Sequence, residues 1–342
     1  MSPGLPVPAS EQCPKRMVYG PCGGVRRGGG CEVDGHPCPF IAHSAPQVDE
    51  VVTGGRVRRE PTAGGRDGLA VRSPIVVCDF RPTEATVEAA ASLARAYAGW
   101  CDAVLLGDHH DRVDLPGPFV AAVAQAEGCN PWVTLSCRDR NRVVLEADLA
   151  ACAELNVGAV HCVTGDARAA HVRPDATQVF DLDSMRLTAL AATFGLTVSV
   201  AESPLVVPIE VRPGRVADKS RAGADWCFVN IGPTAQQTAT FIGAARAAGA
   251  DLRYIVCIPM FTDADGASRL QALPGLGLEP DAVHAILASP DPISSGIDRA
   301  VTEARRFLDI DGVAGVNLSG PASTVSTAQR ISVLRATTER LR

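Results

Sequence analysis

No apolar run in this 342-residue chain approaches the ~18 residues that a membrane-spanning helix needs, so no membrane span is predicted. The N-terminal Met-Ser-Pro-Gly-Leu-Pro has neither the basic stretch nor the apolar core of a secretory leader. A cytoplasmic location is therefore expected, and a disulfide framework is not. Basic residues are not in excess. The net charge is −6, which argues against nucleic acid as a main partner. No Gly-x-Gly-x-x-Gly follows the first β-like run, so the dinucleotide fingerprint of a doubly wound open sheet is missing.

What is present in abundance is cysteine near the N-terminus. Cys13, Cys22, Cys31 and Cys38 follow the spacing C-x8-C-x8-C-x6-C, without the CxxC knuckles of common zinc fingers. The segment is rich in glycine and poor in aromatic residues, so it cannot bury enough apolar surface to fold alone. Gly20, Gly23, Gly24, Gly28, Gly29 and Gly30 crowd the cysteines, as expected where a backbone turns tightly to converge thiolates on one ion. Zinc held by the four thiolates is the first reading and an iron–sulfur cluster the second. His36 is a candidate to replace one cysteine, or is simply exposed. Disulfides, and free thiols in a disordered segment, are the competing readings. The other cysteines, such as Cys78 and Cys257, sit in apolar runs and read as buried thiols.

Residues 1–45 are thus a cysteine-rich metal-binding module. Residues 46–72, with Arg56, Arg58, Arg59 and Arg66 among glycines, read as a solvated linker. From residue 73 to 342 short β-rich runs alternate with Ala/Leu-rich stretches of helical period. The runs are Ile75–Asp79, Asp102–Leu106, Trp132–Ser136, Ala159–Val163, Thr197–Ala201, Trp226–Ile231, Tyr254–Pro259 and Val313–Asn317. Thr83 is placed to cap a helix over Glu84–Tyr97, Asn141 one over Arg142–Leu155, and Gly249 to end one over Gln236–Ala248. This pattern predicts an α/β fold, a (β/α)8 TIM barrel preceded by the metal-stapled module, with the open doubly wound sheet as runner-up.

In such a barrel the chemistry gathers at the C-terminal ends of the strands. Those ends carry Asp79, Asp108, His109, His110, Arg138, Asp139, Arg140, Asp166, Glu202, Asn230 and Asn317. Several have plainer readings: Asp108 and Asp111 as helix caps, His109 and His110 as neighbours that point apart, Asp139 and Asn141 as turn and cap residues. Arg138 and Arg140 suit an anionic ligand. Asp79 closes an apolar strand, where desolvation raises a carboxyl toward general-acid range; its plainer reading is a cap on the amides of Thr83 or Glu84.

Motifs on these strands bring in a family. Asp79-Phe80-Arg81-Pro82 resembles the Glu-Phe-Phe-Pro-Pro that ends the first strand of methylenetetrahydrofolate reductases. Thr134–Asn141, Val163-Thr164-Gly165-Asp166, and Lys219–Asp225 followed by Val229-Asn230, resemble that family's third, fourth and sixth regions. Cys13-Pro-Lys-Arg-Met-Val-Tyr-Gly-Pro-Cys22-Gly-Gly with Cys31-Glu-Val is similar to the cysteine-rich module that accompanies the reductase barrel in some bacterial proteins.

The resemblance implies a place in one-carbon metabolism and methionine biosynthesis: reduction of 5,10-methylenetetrahydrofolate by NAD(P)H, with or without FAD. It implies Asp79 as the acid, Asn230 as the pterin anchor, and Thr134, Asp166, Lys219 and Ser203 as the cofactor side; Asp108 and Arg138, read from the rim, join Asn230 as substrate-binding candidates. It also implies a redox or methyl-transfer protein partner for the module. The departures are specific. Asp79 and Asn230 are each one methylene shorter than the family's glutamate and glutamine, and Thr134 and Ser203 stand where it has histidine and tyrosine. A one-carbon transferase on the same barrel and a non-catalytic subunit stay open beside the reductase.

Two outcomes are expected. Replacing any two of Cys13, Cys22, Cys31 and Cys38 with serine abolishes stoichiometric metal, read by elemental analysis, while the barrel stays folded by circular dichroism. With Thr134 and Ser203 in place of a hydrogen-bonding and a stacking ring, the protein purifies colourless or with substoichiometric flavin. A full flavin spectrum after dialysis contradicts the second.

Overall fold

Eight parallel strands pair in sequence order and close on themselves, β1 (Ile75–Phe80), β2 (Ala103–Leu106), β3 (Pro131–Ser136), β4 (Ala159–Val163), β5 (Val198–Glu202), β6 (Trp226–Val229), β7 (Arg253–Pro259) and β8 (Val313–Ser319). The structure is a computed structural model that describes residues 12–42, 74–109, 111–168, 171–271, 278, 280–320 and 326–342. The linker stretch 46–72 and His110 lie outside the described residues. Helices α1 (Val87–Tyr97), α2 (Gly117–Ala126), α3 (Arg142–Glu154), α4 (Ser184–Thr193), α5 (Arg212–Ala222) and α6 (Ala235–Ala247) follow the first six strands. Three helices, α7 (Ala264–Gln271), α8 (Pro280–Leu287) and α9 (Pro292–Leu308), separate β7 from β8, and α10 (Thr327–Leu341) ends the chain. The fold is the (β/α)8 barrel that the alternation predicted.

The strands are buried on both faces, which is why they read as continuous apolar runs. Inward side chains of alternate residues, Val77, Trp132, Trp226, Phe228 and Ile255 among them, fill the barrel. The Trp132 and Trp226 rings lie 5.6 Å apart at its centre. Outward neighbours such as Val76, Cys78, Val133, Val160 and Val200 pack on the helices. Closure depends on one small residue. A Cβ on Gly315 would sit 2.2 Å from the carbonyl oxygen of Ile75, so only glycine lets β8 approach β1.

Helix starts differ slightly from expectation. The side chain that caps α1 is Thr86, accepting from Ala89 N at 3.2 Å, not Thr83. Arg112 takes the Pro82 carbonyl at 2.6 Å, so the chain after β1 runs on through bends before the helix begins. Asn141 caps α3 as predicted, and Thr234 with Gln237 forms a capping box on α6.

The cysteine-rich segment lies on the C-terminal rim above β4–β6. Its Gly30 and Pro37 form a single antiparallel bridge, with Cys31 N donating to His36 O at 2.6 Å and Cys38 N to Gly29 O at 2.8 Å. Met17, Val25, Cys38 and Phe40 build a small apolar nucleus that also contains Val206 of the barrel. The segment thus borrows core from its neighbour, a support that its composition did not reveal. Most of the docking bonds end on its backbone. Arg215 donates to Tyr19 O at 2.6 Å, and Arg212 to Pro21 O at 3.3 Å and Cys22 O at 3.0 Å. Lys15 returns a bond to Gly165 O at 2.6 Å, and Asp183 accepts from Val18 N at 3.1 Å.

Beneath these arginines sits Glu202, the last residue of β5 and 3% exposed. It accepts from Lys219 at 2.8 Å and Arg212 at 3.2 Å, with Arg215 Nε at 3.8 Å. Burial alone would raise the carboxyl, but the charges of Lys219, Arg212 and Arg215 outweigh it and hold Glu202 down to about 2. A depressed carboxylate contributes stability that is complete above its ordinary value near 4.5 and is lost as pH falls from there through about 2. Glu202→Gln should cost about 3–5 kcal/mol in urea unfolding at neutral pH, because three cations lose their buried partner. It should also flatten the acid limb of the stability profile; a variant matching wild type throughout that range would contradict the assignment.

Candidate functional site

The barrel mouth divides into three stretches of rim. On the first, β1 and β8 bring Asp79 beside Asn317. The register Val77↔Asn317 sets the two inward-facing residues one step apart, and Asn317 Nδ2 donates to Asp79 Oδ1 at 2.9 Å. Burial pushes the Asp79 carboxyl up, opposed by the hydrogen bonds of Asn317 and Ser319 and by the charges of Arg330 and His109. The carboxyl does not cap the following turn. Asn317 is 2% exposed, and its Oδ1 has no hydrogen-bond partner among the described residues. Sequence reasoning placed Asn317 on the rim without giving it a role; its signal was an amide at an inward position of an apolar strand.

The second stretch is an ion-pair network at the ends of β2 and β3. Asp108 pairs with Arg140 and lies 3.9 Å from Arg138 Nη2, and it accepts from Ser136 N at 3.1 Å. Arg138 donates to Asp139 at 2.7 Å, and Asp139 also pairs with Arg168. The two candidate substrate residues Asp108 and Arg138 are therefore bound to each other's neighbours. Asp108 caps no helix, since α2 begins behind Pro116 without a side-chain cap. His109 Nδ1 lies 2.5 Å from Asp114, whose other oxygen takes Arg112 at 2.8 Å.

The third stretch, β4–β6, holds the predicted cofactor side and lies under the cysteine-rich segment. Lys219 Nζ donates to Ala201 O at 2.6 Å as well as to Glu202. Asn230 is exposed and donates to Ser203 Oγ at 2.8 Å. Thr134 is half-buried on β3, opposite His161 of β4, and Asp166 is exposed close to Lys15. Gly165 adopts φ +90°, and a Cβ there would meet Ser136 Oγ at 2.2 Å, so the loop after β4 crosses tightly over β3 and presents its carbonyl to Lys15. Between segment and rim remains a cavity of about 100 Å³. Pockets that enclose a drug-sized ligand run to about 300–1,000 Å³, so this cavity is small beside them. Asp79 does not line this cavity, whereas Lys219, Ser203 and Asn230 do. His161, inside the barrel, contacts Ser199 Oγ at 2.8 Å and is pushed down to about 3 by burial and by Lys219, so its imidazole is neutral.

The four N-terminal cysteines come near one another around Cys13. Burial raises Cys13 and Cys38, each also feeling Cys31, and it pushes Cys22 up to about 11 against the charge of Lys15. The donor set is that of a zinc or iron–sulfur site. Among the described residues, however, no group of three or more His, Cys, Asp or Glu side chains is arranged to hold a metal ion. His36 is exposed and paired with Asp34. No helix among the described residues is long and apolar enough to cross a membrane.

Comparison with known proteins agrees with the resemblance read from the cysteines. No curated protein matches the chain. In fold, the chain is similar to the solved structure of an uncharacterized protein from Clostridium thermocellum that binds two copies of 5-methyl-5,6,7,8-tetrahydrofolic acid, with a TM-score of 0.55 and 12% identity over 78% of this chain and 94% of that one. Residues 6–50 match the family described as methylene-tetrahydrofolate reductase C terminal. The chain thus joins a segment similar to that family to a (β/α)8 barrel.

Proposed function

We propose that the chain binds a reduced folate at the barrel mouth and reduces 5,10-methylenetetrahydrofolate to 5-methyltetrahydrofolate. The observation that carries this reading is the raised, partly buried carboxyl of Asp79 on the open β1/β8 rim, in a chain whose N-terminal segment matches a reductase family. The folate-binding neighbour of similar fold supports the substrate class.

The chemistry follows from the residues at hand. Asp79, whose carboxyl burial pushes up, is the group that donates a proton to N10 of the folate, and the N10–methylene bond opens to an iminium at N5. Asn317, whose Nδ2 donates to Asp79, holds the acid in place beside the ring. Asn230, exposed across the mouth, is the amide for the substrate. A reduced nicotinamide, when bound, supplies hydride to the iminium carbon. Cys13, Cys22, Cys31 and Cys38 are the thiols that would hold a metal, and such a centre would stiffen the segment that covers β4–β6. That covering favours a second reading, in which the one-carbon unit passes to an acceptor without reduction.

Asp79→Asn keeps an oxygen for Asn317 but removes the acid. Oxidation of reduced nicotinamide dependent on methylenetetrahydrofolate should fall by about 10²–10⁴-fold while folate binding persists. Turnover equal to wild type would remove Asp79 from the mechanism. Folate binding by wild type without nicotinamide oxidation would select the transfer reading.

A further inference from the structure

We infer that the cavity between the cysteine-rich segment and the β4–β6 rim is a binding site for a small oxyanion, a phosphate or a carboxylate group. The inference goes beyond the folate reading and does not depend on it. The cavity is walled by Lys15, Arg215, Lys219, Ser203 and Asn230, with Glu202 and Cys22 also on its wall, and its three cations are only 3%, 5% and 4% exposed. Buried cations in such a place need acceptors, and the acceptors present do not use all their donors.

The donor count is explicit. An ammonium carries three N–H groups. Lys15 spends two, on Glu32 and on Gly165 O, and Lys219 spends two, on Glu202 and on Ala201 O. Each keeps one. Arg215 donates Nη1 to Tyr19 O, while its buried Nε makes no hydrogen bond among the described residues and faces Glu202 Oε2 at 3.8 Å. The charge count agrees, because Arg212, Arg215 and Lys219 on the barrel side face the single carboxylate of Glu202. An anion with several acceptor oxygens would take the remaining N–H groups and offset the excess charge together.

Size decides the class. About 100 Å³ accommodates a compact oxyanion and is small beside the about 300–1,000 Å³ of pockets that enclose a drug-sized ligand. The occupant is either a free anion such as phosphate or the carboxylate end of a larger molecule lying along the mouth.

Isothermal titration of the full chain with inorganic phosphate, and separately with p-aminobenzoylglutamate, the carboxylate tail of folates, tests the inference. One saturable site per chain is expected for at least one probe; phosphate alone identifies a free anion as the source, and the tail fragment alone identifies a carboxylate. Lys219→Gln should weaken that binding by about tenfold or more, the scale of a lost charged hydrogen bond. Gly23→Leu leaves every charge in place and fills the cavity, since a Cβ at Gly23 meets only Ser203 Oγ at an ordinary 3.5 Å. It should weaken binding similarly with thermal unfolding unchanged, so the test survives even where Lys219→Gln fails to fold. No saturable binding of either probe, or wild-type affinity in the folded Gly23→Leu variant, overturns the site.

Discussion

The carboxylate of Glu202 is the charge on which the arrangement of this molecule turns. Removed from water at the end of β5, it is tolerated only because Lys219, Arg212 and Arg215 converge on it. Two of those cations continue outward to the carbonyls of Tyr19, Pro21 and Cys22. One buried acid therefore organises helix α5, the end of β5 and the docking of a segment some 190 residues away in the chain.

That docking makes the barrel mouth unequal. The β4–β6 side is roofed, and its cations are tied to Glu202, to backbone carbonyls and to the roof, with donors left over at the cavity between. The β2–β3 side is locked in its own ion pairs. Among the described residues, the β1/β8 side brings together a raised carboxyl and an amide oxygen without a partner, the pair on which the proposed chemistry rests. Ser203 and Thr134, both small, lie on or near the side where the roof sits.

Much of the fold was legible because its determinants are local. Runs such as Ile75–Asp79 and Ala159–Val163 announced strands by β-branched, doubly buried composition, and each observed strand lies within a few residues of its prediction. Asn141 was readable as a cap because its partner, Val144 N, is three residues on. The site was legible only in part. Asp79 stood out as a carboxyl in an apolar run, yet its partner Asn317 is 238 residues distant, and nothing in either local sequence announces the pair. Lys219 was marked by resemblance, whereas its tie to Glu202 depends on how α5 packs against β5. The borrowed core of the cysteine-rich segment was likewise hidden, because Val206 belongs to a loop whose neighbours appear only after the barrel has closed.

The segment is gripped at Tyr19, Pro21 and Cys22 through peptide carbonyls, a group that every amino acid supplies. The interface is thus written in side chains on one surface and in backbone on the other. Sequence drift at those gripped positions leaves the acceptors intact so long as the path of the chain is kept, whereas the guanidinium forks of Arg212 and Arg215 have no such freedom, since a lysine cannot reproduce their planar geometry. The barrel, in this sense, recognises the shape of the segment more than its spelling.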